Sequence, residues 1–585
     1  MSSTFNRRQF LHLAAMGGAS LVLSNGLTGC GGASSLAVNF KHGVASGDPS
    51  TNSVILWTRV TPEIEGDISV SWEIATDKNF QSVIQNGSTS TDARRDYTIK
   101  IDAQNLEENH VYYYRFISGN TRSPLGRTQT LPLHHVDSVT LAVLSCANYP
   151  AGHFYVYKEA AARQDINAVV HLGDYIYEYA DNGYASEQAA AMNRVVQPAH
   201  ELISLDDYRS RYAQYRTDTD LQTLHAHVPF ICVWDDHEIC NDSWREGAQN
   251  HNQGEGEFAQ RKLAALQAYY EWLPIRPVSE LPFNEAIYRS FEFADLLSLH
   301  MLDTRLLGRD RPLDYANYID TSTGTFDIDR FNQDLSDPHR TLLGAQQLTW
   351  LQGQLATSPA KWQLLGQQVL MAKVLLPAAI VTQQMSIADY AELAALALLA
   401  GRAQVSDTTL TEAEKAHLQA NQPRLTPQVM TLLSLPAIPY NLDAWDGYAH
   451  EREVLYQSAR ESDSKLVVLA GDTHNAWASD LKDAHGNHVG VEFATPSVSS
   501  PGLESYLDVA AQDIAATEAA LVGLIENLSY LNMSDRGFMT ITCTHDQVTA
   551  LWHYVSDVKQ SSYTLLSERE HSLQVSSDNM LLQAS

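Results

Sequence analysis

The sequence predicts an α/β core whose strands are buried on both faces, preceded by a small all-β domain. Three observations carry this. Between positions 38 and 135, short β-branched and aromatic runs alternate with turn residues. From about 138, continuous apolar runs alternate with helical stretches instead. Hydrophobic residues make up 44% of the 585, enough for a large core and too many for a disordered chain.

In chain order, residues 1–30 read as a targeting segment. Asn6 precedes Arg7-Arg8-Gln9-Phe10-Leu11, a twin-arginine pattern, and the apolar run Leu11 to Leu23 is too short to span a bilayer. Leu27-Thr28-Gly29-Cys30 is similar to a lipobox, which makes Cys30 the candidate lipidation residue; simple cleavage nearby is the rival reading. The expected partners are the twin-arginine export machinery and a lipid anchor at a membrane surface. The expected location is exported, periplasmic or cell-surface.

In the all-β domain, 38–135, the expected strands include Val54 to Trp57, Ile68 to Ile74, Tyr97 to Ile101 and Val111 to Phe116. Ile68, Val70, Trp72 and Ile74 share one face by period-two alternation. Gly47-Asp48-Pro49, Asn86-Gly87 and Ser118-Gly119-Asn120 supply turns, and this spacing suggests an immunoglobulin- or fibronectin-like sandwich. The core, 138–560, has buried strands at Val139 to Ser145, Ile166 to Leu172, Val228 to Trp234, Leu296 to Leu302, Trp362 to Gly366 and Lys465 to Ala470. Helices are expected at Phe154 to Arg163 and Ala259 to Trp272. Residues 374–430 read as a helical insertion, Ile387 to Ala400 and Thr409 to Ala420, with Thr411 and Glu414 at capping-box spacing. An accessory hairpin is favoured over a substrate lid there. Residues 503–530 read as helical, and Met539 to Cys543 with Val548 to Tyr554 as a final β-hairpin.

The charge of −30, from 39 basic and 69 acidic residues, disfavours a nucleic-acid-binding surface, which needs cations against phosphates. No apolar stretch is long enough for an ordinary membrane span. With five cysteines, disulfides do not carry this fold; whether Cys232 and Cys240 pair is left open.

Four apolar strands run straight into residues that ligate metals. They end at Cys146 with Asn148, at Asp174 with Tyr177, at Asp235-Asp236-His237-Glu238, and at Asp472 with His474. In open α/β sheets ligands bind at the carboxyl ends of strands, so the four clusters are expected to converge. An aspartate after a strand is ordinarily a cap or turn residue. Several acids, a thiol and histidines packed together need a cation, however, and a polynuclear metal site satisfies them.

Gly173-Asp-Tyr-Ile-Tyr177 resembles a purple acid phosphatase motif. Asp235 to Glu238 and Gly471 to His474 are similar to the Gly-Asn-His-Glu and Gly-His-x-His blocks of calcineurin-like metallophosphoesterases. The whole chain more closely resembles PhoD-type alkaline phosphatases, through Gly43 to Pro49, Leu56 to Arg59, Ser145 to Asn148, Leu302 to Arg305 and Asp443 to Gly447 as well. The resemblance implies a metallophosphatase core, a β-sandwich flanked by helices. It implies that Asp174 bridges metals, that Cys146 and Tyr177 bind ferric iron, and that Asp236, Asp472 and His474 complete the ligands, with calcium as the second metal. It places Asn148 where the wider superfamily has a ligand histidine, and His237 on the histidine that assists the leaving group. Asp235 and Arg305 are candidates for supporting the site or the substrate; Arg305 and Asp303 are candidates for organising a phosphate pocket, with a buried structural ion pair between them as the equal alternative. The superfamily's histidine after an intermediate strand is missing, because Trp362 to Gly366 is followed by Gln367-Gln368.

The implied activity is hydrolysis of phosphate monoesters, and of some diesters, by attack of metal-bound hydroxide. The alternatives are a phosphodiesterase or phospholipase on the same scaffold, and a non-enzymatic, surface-anchored binding protein stabilised by metal.

Overall fold

The computed structural model describes residues 37–276, 287–320, 322 and 326–585. The twin-arginine and lipobox expectations, Cys30 included, lie outside these residues.

The N-terminal part contains β1 (Val44–Gly47), β2 (Ser53–Arg59), β3 (Ile68–Ala75), β4 (Val83–Thr91), β5 (Thr98–Gln104), β6 (Val111–Ser118) and β7 (Gly126–Gln129). One sheet has the order β7-β6-β3-β4. The predicted alternation buries Ile68, Val70 and Ile74, with Trp72 half-buried beside them, against Val54 and Leu56 of β2 and Ile99 of β5.

The core opens with β8 (Ser138–Leu144), β9 (Ala168–His171) and β10 (Phe230–Cys232), which run parallel. A second sheet is formed by β11 (Arg289–Phe293), β12 (Leu297–Met301), β13 (Trp362–Gly366), β14 (Leu466–Ala470), β15 (Ala476–Lys482), β16 (His488–Ala494) and β17 (Leu528–Asn532). Its order is β11-β12-β13-β14-β16-β15-β17, with β12, β13, β14 and β16 parallel. The chain then returns to the first sheet through β18 (Arg536–Thr544), β19 (Gln547–Val555), β20 (His571–Ser576) and β21 (Gln583–Ala584). That sheet reads β21-β20-β19-β18-β8-β9-β10-β1-β2-β5.

Two findings go beyond the sequence expectation. The expected last hairpin, β18–β19, is followed by two more strands of the same sheet, so the sheet runs on past residue 560. The N-terminal strands β1, β2 and β5 extend the core sheet, because Phe230 pairs with Gly47 in parallel. The approach at Gly47 excludes a side chain: a Cβ there would lie 2.4 Å from the Pro274 carbonyl oxygen and 2.6 Å from that of Phe230.

Alternation on β14 separates the two faces of the second sheet. Val467 and Leu469 join the core shared with Leu141 and Val143 of the first sheet. Leu466, Val468 and Ala470 face a second core with α5 (Gly344–Thr357) and α9 (Ala449–Glu461). The first sheet's core includes residues of α1 (Tyr155–Ala162), α2 (Leu205–Tyr215), α3 (Thr219–His227) and α4 (Phe258–Trp272). The insertion folds as α6 (Ile387–Gln404), α7 (Glu412–Asn421) and α8 (Pro427–Leu433). Its Thr411 caps α7 and Glu414 reciprocates. Ile387 and Tyr390 of α6 join the second core, Leu432 and Leu433 of α8 pack against it, and Leu393 and Leu396 of α6 are buried as well. The stretch expected to be helical at 503–530 is helical only at Leu503–Tyr506 and over α10 (Ile514–Leu524), apart from one 3-10 turn; Leu528–Asn532 is the edge strand β17, paired with β15. No helix of the described residues is long and apolar enough to cross a membrane.

Candidate metal centre

The carboxyl ends of β8, β9, β10 and β14 deliver their clusters to one place. Three overlapping groups have ligand atoms within 4.8 Å of one another: Cys146, Asp174 and His474; Asp174, Asp236 and His237; Asp235, Asp236 and Asp472. Asp174 is shared by the first two and Asp236 by the last two. Cys146, Asp174, Asp472 and His474 all have positive φ, 59°, 55°, 60° and 64°. The chain turns left-handed as it leaves each of these strands, a conformation costly for residues with a Cβ and concentrated at functional sites.

The loops are tied to one another. Ala147 donates to the Asp174 carbonyl (2.8 Å), and the Glu238 carboxylate accepts from the backbone N–H groups of Asp174 (2.9 Å), Tyr175 (2.5 Å) and Asp235 (2.7 Å). Gly173, at φ +104°, makes this possible, since a Cβ there would sit 2.4 Å from the Asp235 nitrogen.

Tyr177 donates its hydroxyl to Asp174 Oδ2 (3.0 Å) and lies 3.2 Å from His474 Nε2 and 2.7 Å from Ser500 Oγ. His474 Nδ1 is 2.6 Å from the Pro501 carbonyl oxygen. A carbonyl only accepts, so the proton sits on Nδ1 and the Nε2 lone pair faces the cluster. Burial pulls this imidazole down to about 3, which keeps it neutral. His237 is the opposite case. Burial opposes its charge, yet Asp236, Asp174 and Glu178 push it well above its ordinary range. Its Nδ1 is 2.7 Å from Glu178 Oε2, and its ring stacks on Tyr177 with centroids 4.1 Å apart.

Burial and neighbouring carboxylates push the Cys146 thiol and the Asp174 carboxyl well above their usual values. Asp235 is raised by burial against the pull of Arg305, and Asp472 goes up to about 7. Asp236 is also buried, but Arg305 and His237 hold it at about 2. Asp174 Oδ1 and Asp235 Oδ2 are buried with no hydrogen-bond partner. Unpaired buried carboxylate oxygens beside a thiol and an oriented neutral imidazole suit cations, so this donor set fits a metal group.

Arg305 is the cluster's own cation. Fully buried, its guanidinium pairs with Asp235, Asp443 and Asp472 (2.7 Å) and lies 3.7 Å from Asp236. Asp303 accepts instead from the backbone N–H groups of Arg305 and Leu306. Asn148 is buried in the loop after β8, with Nδ2 donating to Tyr184 O (3.2 Å) and Oδ1 unpartnered. Where a ligand histidine was missing, Gln368 bonds the carbonyls of Trp234 and Leu302 and accepts from Thr304, while Gln367 accepts from Trp445 Nε1. Asp446 pairs with Arg452, so Trp445 and Asp446 brace the site from outside. Cys232 and Cys240 are buried free thiols. Sequence reasoning missed Asp443, whose Asp-Ala-Trp-Asp-Gly motif had no assigned role, and Glu178, which directly follows Tyr177. It also missed Tyr184 and Tyr506, whose hydroxyls meet at 2.9 Å beside His474.

Comparison with known proteins places these features in a family. Residues 141–552 match the family model described as PhoD-like phosphatase, and 28–132 match its N-terminal domain. The chain is 34% identical over 527 residues to alkaline phosphatase D of Bacillus subtilis (strain 168), covering 86% of this chain and 77% of that protein. A solved structure of PhoD superposes with a TM-score of 0.72 at 29% identity, over 95% of this chain and 93% of that one. The chain, with a match that spans both its N-terminal strands and its acidic cluster, belongs to the PhoD-like phosphatase family.

Proposed function

We propose that this chain is an exported, metal-dependent alkaline phosphatase that hydrolyses phosphate esters at the acidic cluster. The observation that carries the reading is Asp174, shared between two ligand groups, with one oxygen held by Tyr177 and the other buried without a partner. In this reading Cys146, Asp174, Tyr177 and His474 hold ferric iron. Asp236 and Asp472, with Asp235 beside them, supply the oxygen donors that calcium prefers. When bound, such cations polarise phosphoryl oxygens and lower the pKa of a nucleophilic water. The chain's own groups do the rest. Glu178 fixes the ring of His237, and the imidazolium protonates the departing ester oxygen through its other nitrogen. Arg305 keeps four carboxylates aimed at one point. Asn148, two residues after Cys146, donates to the Tyr184 carbonyl and serves as a polar support.

The same reading gives the chain an immunoglobulin-like N-terminal domain at 38–135, a metallophosphatase sandwich at 138–560 and an accessory insertion at 374–430, with twin-arginine export and lipidation at Cys30.

The test is phosphate release from a chromogenic monoester by the full chain, with calcium or with chelator. Calcium-dependent release that chelation abolishes is the expected result. A fully metallated sample that releases no phosphate from any ester sinks the reading.

One observation favours diesters with a bulky apolar group as further substrates. A cavity of about 240 Å³, lined by Leu376, Ile380, Trp477, Leu521, Tyr440 and Tyr506, lies beside the cluster. Tyr506 connects it to Tyr184, whose hydroxyl lies 3.4 Å from His474 Nδ1. Such a cavity suits the apolar part of a leaving alcohol. Comparing kcat/KM for phenyl and alkyl diesters in the wild type and Ile380→Asp tests this: the variant is expected to lose diester turnover selectively.

A further inference from the structure

A second convergence of metal-ligating side chains lies far from the acidic cluster. His135 immediately precedes the approach to β8, Asp295 is in the β11–β12 turn, and His545 is in the β18–β19 turn. One ligand atom from each lies within 4.8 Å of the others. His135 Nδ1 is 2.8 Å from Asp295 Oδ2, and His545 Nε2 is 3.8 Å from Asp295 Oδ1. The two imidazoles stack at 5.0 Å with 14° between their planes. A further carboxylate, Asp137, reaches within 3.3 Å of His135 Nε2, and the Val136 carbonyl lies 3.2 Å from His545 Nε2.

Place and donor chemistry set this group apart from the catalytic cluster. β8 starts at Ser138 and delivers Cys146 only after Leu144, so the two sites lie at opposite ends of a seven-residue strand, roughly 20 Å at ~3.3 Å per residue. The β18–β19 turn belongs to the first sheet and the β11–β12 turn to the second. The two turns are already tied through the start of β13: the Trp362 side chain donates from Nε1 to the Thr544 carbonyl (2.7 Å), and Lys361 N donates to that of Asp295 (2.9 Å). The side chains of His135, Asp295 and His545 are 58%, 46% and 35% exposed, so an ion enters freely and water completes its shell. Two imidazoles with a carboxylate select zinc, nickel or copper over calcium, which prefers an all-oxygen shell.

We propose that His135, Asp295 and His545 form a binding site for a divalent transition-metal ion of the zinc class, which staples the two sheets at the end remote from the acidic cluster. Bound there, the ion stabilises the folded chain by mass action, because the unfolded chain does not bring the three segments together.

The test uses the full chain loaded beforehand with its own metals. Zn²⁺ binding is measured by equilibrium dialysis with metal analysis, alongside thermal unfolding and monoester hydrolysis. The wild type is expected to bind one Zn²⁺ more than the double variant His135→Ala, His545→Gln. Zn²⁺ is expected to raise the Tm of the wild type and not of the variant, with turnover the same in both, and Ca²⁺ to produce no such difference. Equal Zn²⁺ stoichiometry with equal Tm response overturns the proposal. So does a Tm deficit in the variant that is the same with chelator as with Zn²⁺, which assigns the group to stacking and ion pairing alone. If the double variant does not fold, Asp295→Asn, which keeps the side-chain volume, carries the same comparison.

Discussion

His474 and His237 stand within one cluster yet carry opposite charge states, and the difference lies in their partners. A carbonyl oxygen fixes the proton of His474 on Nδ1 and leaves a lone pair on its other nitrogen; three carboxylates make His237 a cation able to give up a proton. Asp174→Asn, which removes the shared carboxylate, is therefore expected to lose metal and phosphate release together. Its drop should exceed the roughly 10–100-fold typical of an outer-shell partner. Metal analysis with steady-state kinetics checks this, and full activity in the variant overturns the role of Asp174. His237→Ala is expected to keep its metals and lose about 10²–10⁴-fold in kcat. Glu178→Gln should lower kcat less than His237→Ala and leave KM unchanged, because the ring stays in place while its orientation and part of the charge favouring the imidazolium are lost. A His237→Ala variant that arrives without metal makes His237 a ligand. The strand-end residues were legible because each follows an unbroken apolar run. Arg305 was legible as a candidate for supporting the site or the substrate, but its four carboxylate partners come from three separate loops up to 167 positions away. No local pattern encodes such a meeting.

The strands and loops that carry these residues were read well wherever an element is specified by its own periodicity. β3 alternates as expected, and β8, β9 and β14 are buried on both faces. The segment after 503 was misread because its apolar residues suit a helix and a strand equally; pairing with β15 decides for the strand at Leu528–Asn532. The loop after β9 depends on one glycine. Gly173→Ala adds a methyl at φ +104°, 2.4 Å from the Asp235 nitrogen, and should destabilise the protein by about 1–3 kcal/mol while prising the Asp174 and Asp235 loops apart. Denaturant unfolding with metal analysis reads both effects, and an unchanged midpoint with full metal content contradicts the tight approach. The insertion is anchored by α6, with Ile387 and Tyr390 in the second core, and by Leu432 and Leu433 of α8 packed against it, while α7 has no buried residue.

At the scale of the molecule, one sheet passes from β21 to β5 through the parallel pair β10–β1. Residues 136–585 expressed alone are therefore expected to aggregate or fail to fold, because removing β1, β2 and β5 exposes the edge of β10 and uncovers Trp272, which packs against Trp57 with ring centroids 5.8 Å apart. A monomeric fragment with normal unfolding shows instead that the N-terminal part is independent. The sequence by itself determined the class of most elements, the chain order of the four strand ends that carry the candidate ligands and the family those motifs resemble, because periodicity, turn residues and strand-end motifs are properties of short segments. The tertiary structure alone decided that the first sheet continues into the N-terminal strands, that Arg305 answers four carboxylates, that Glu178 holds His237 and that His135, Asp295 and His545 meet at the far end. Each of these is a contact between segments distant in the chain, and its energy comes from burial and charge that exist only once the sheets have closed on each other.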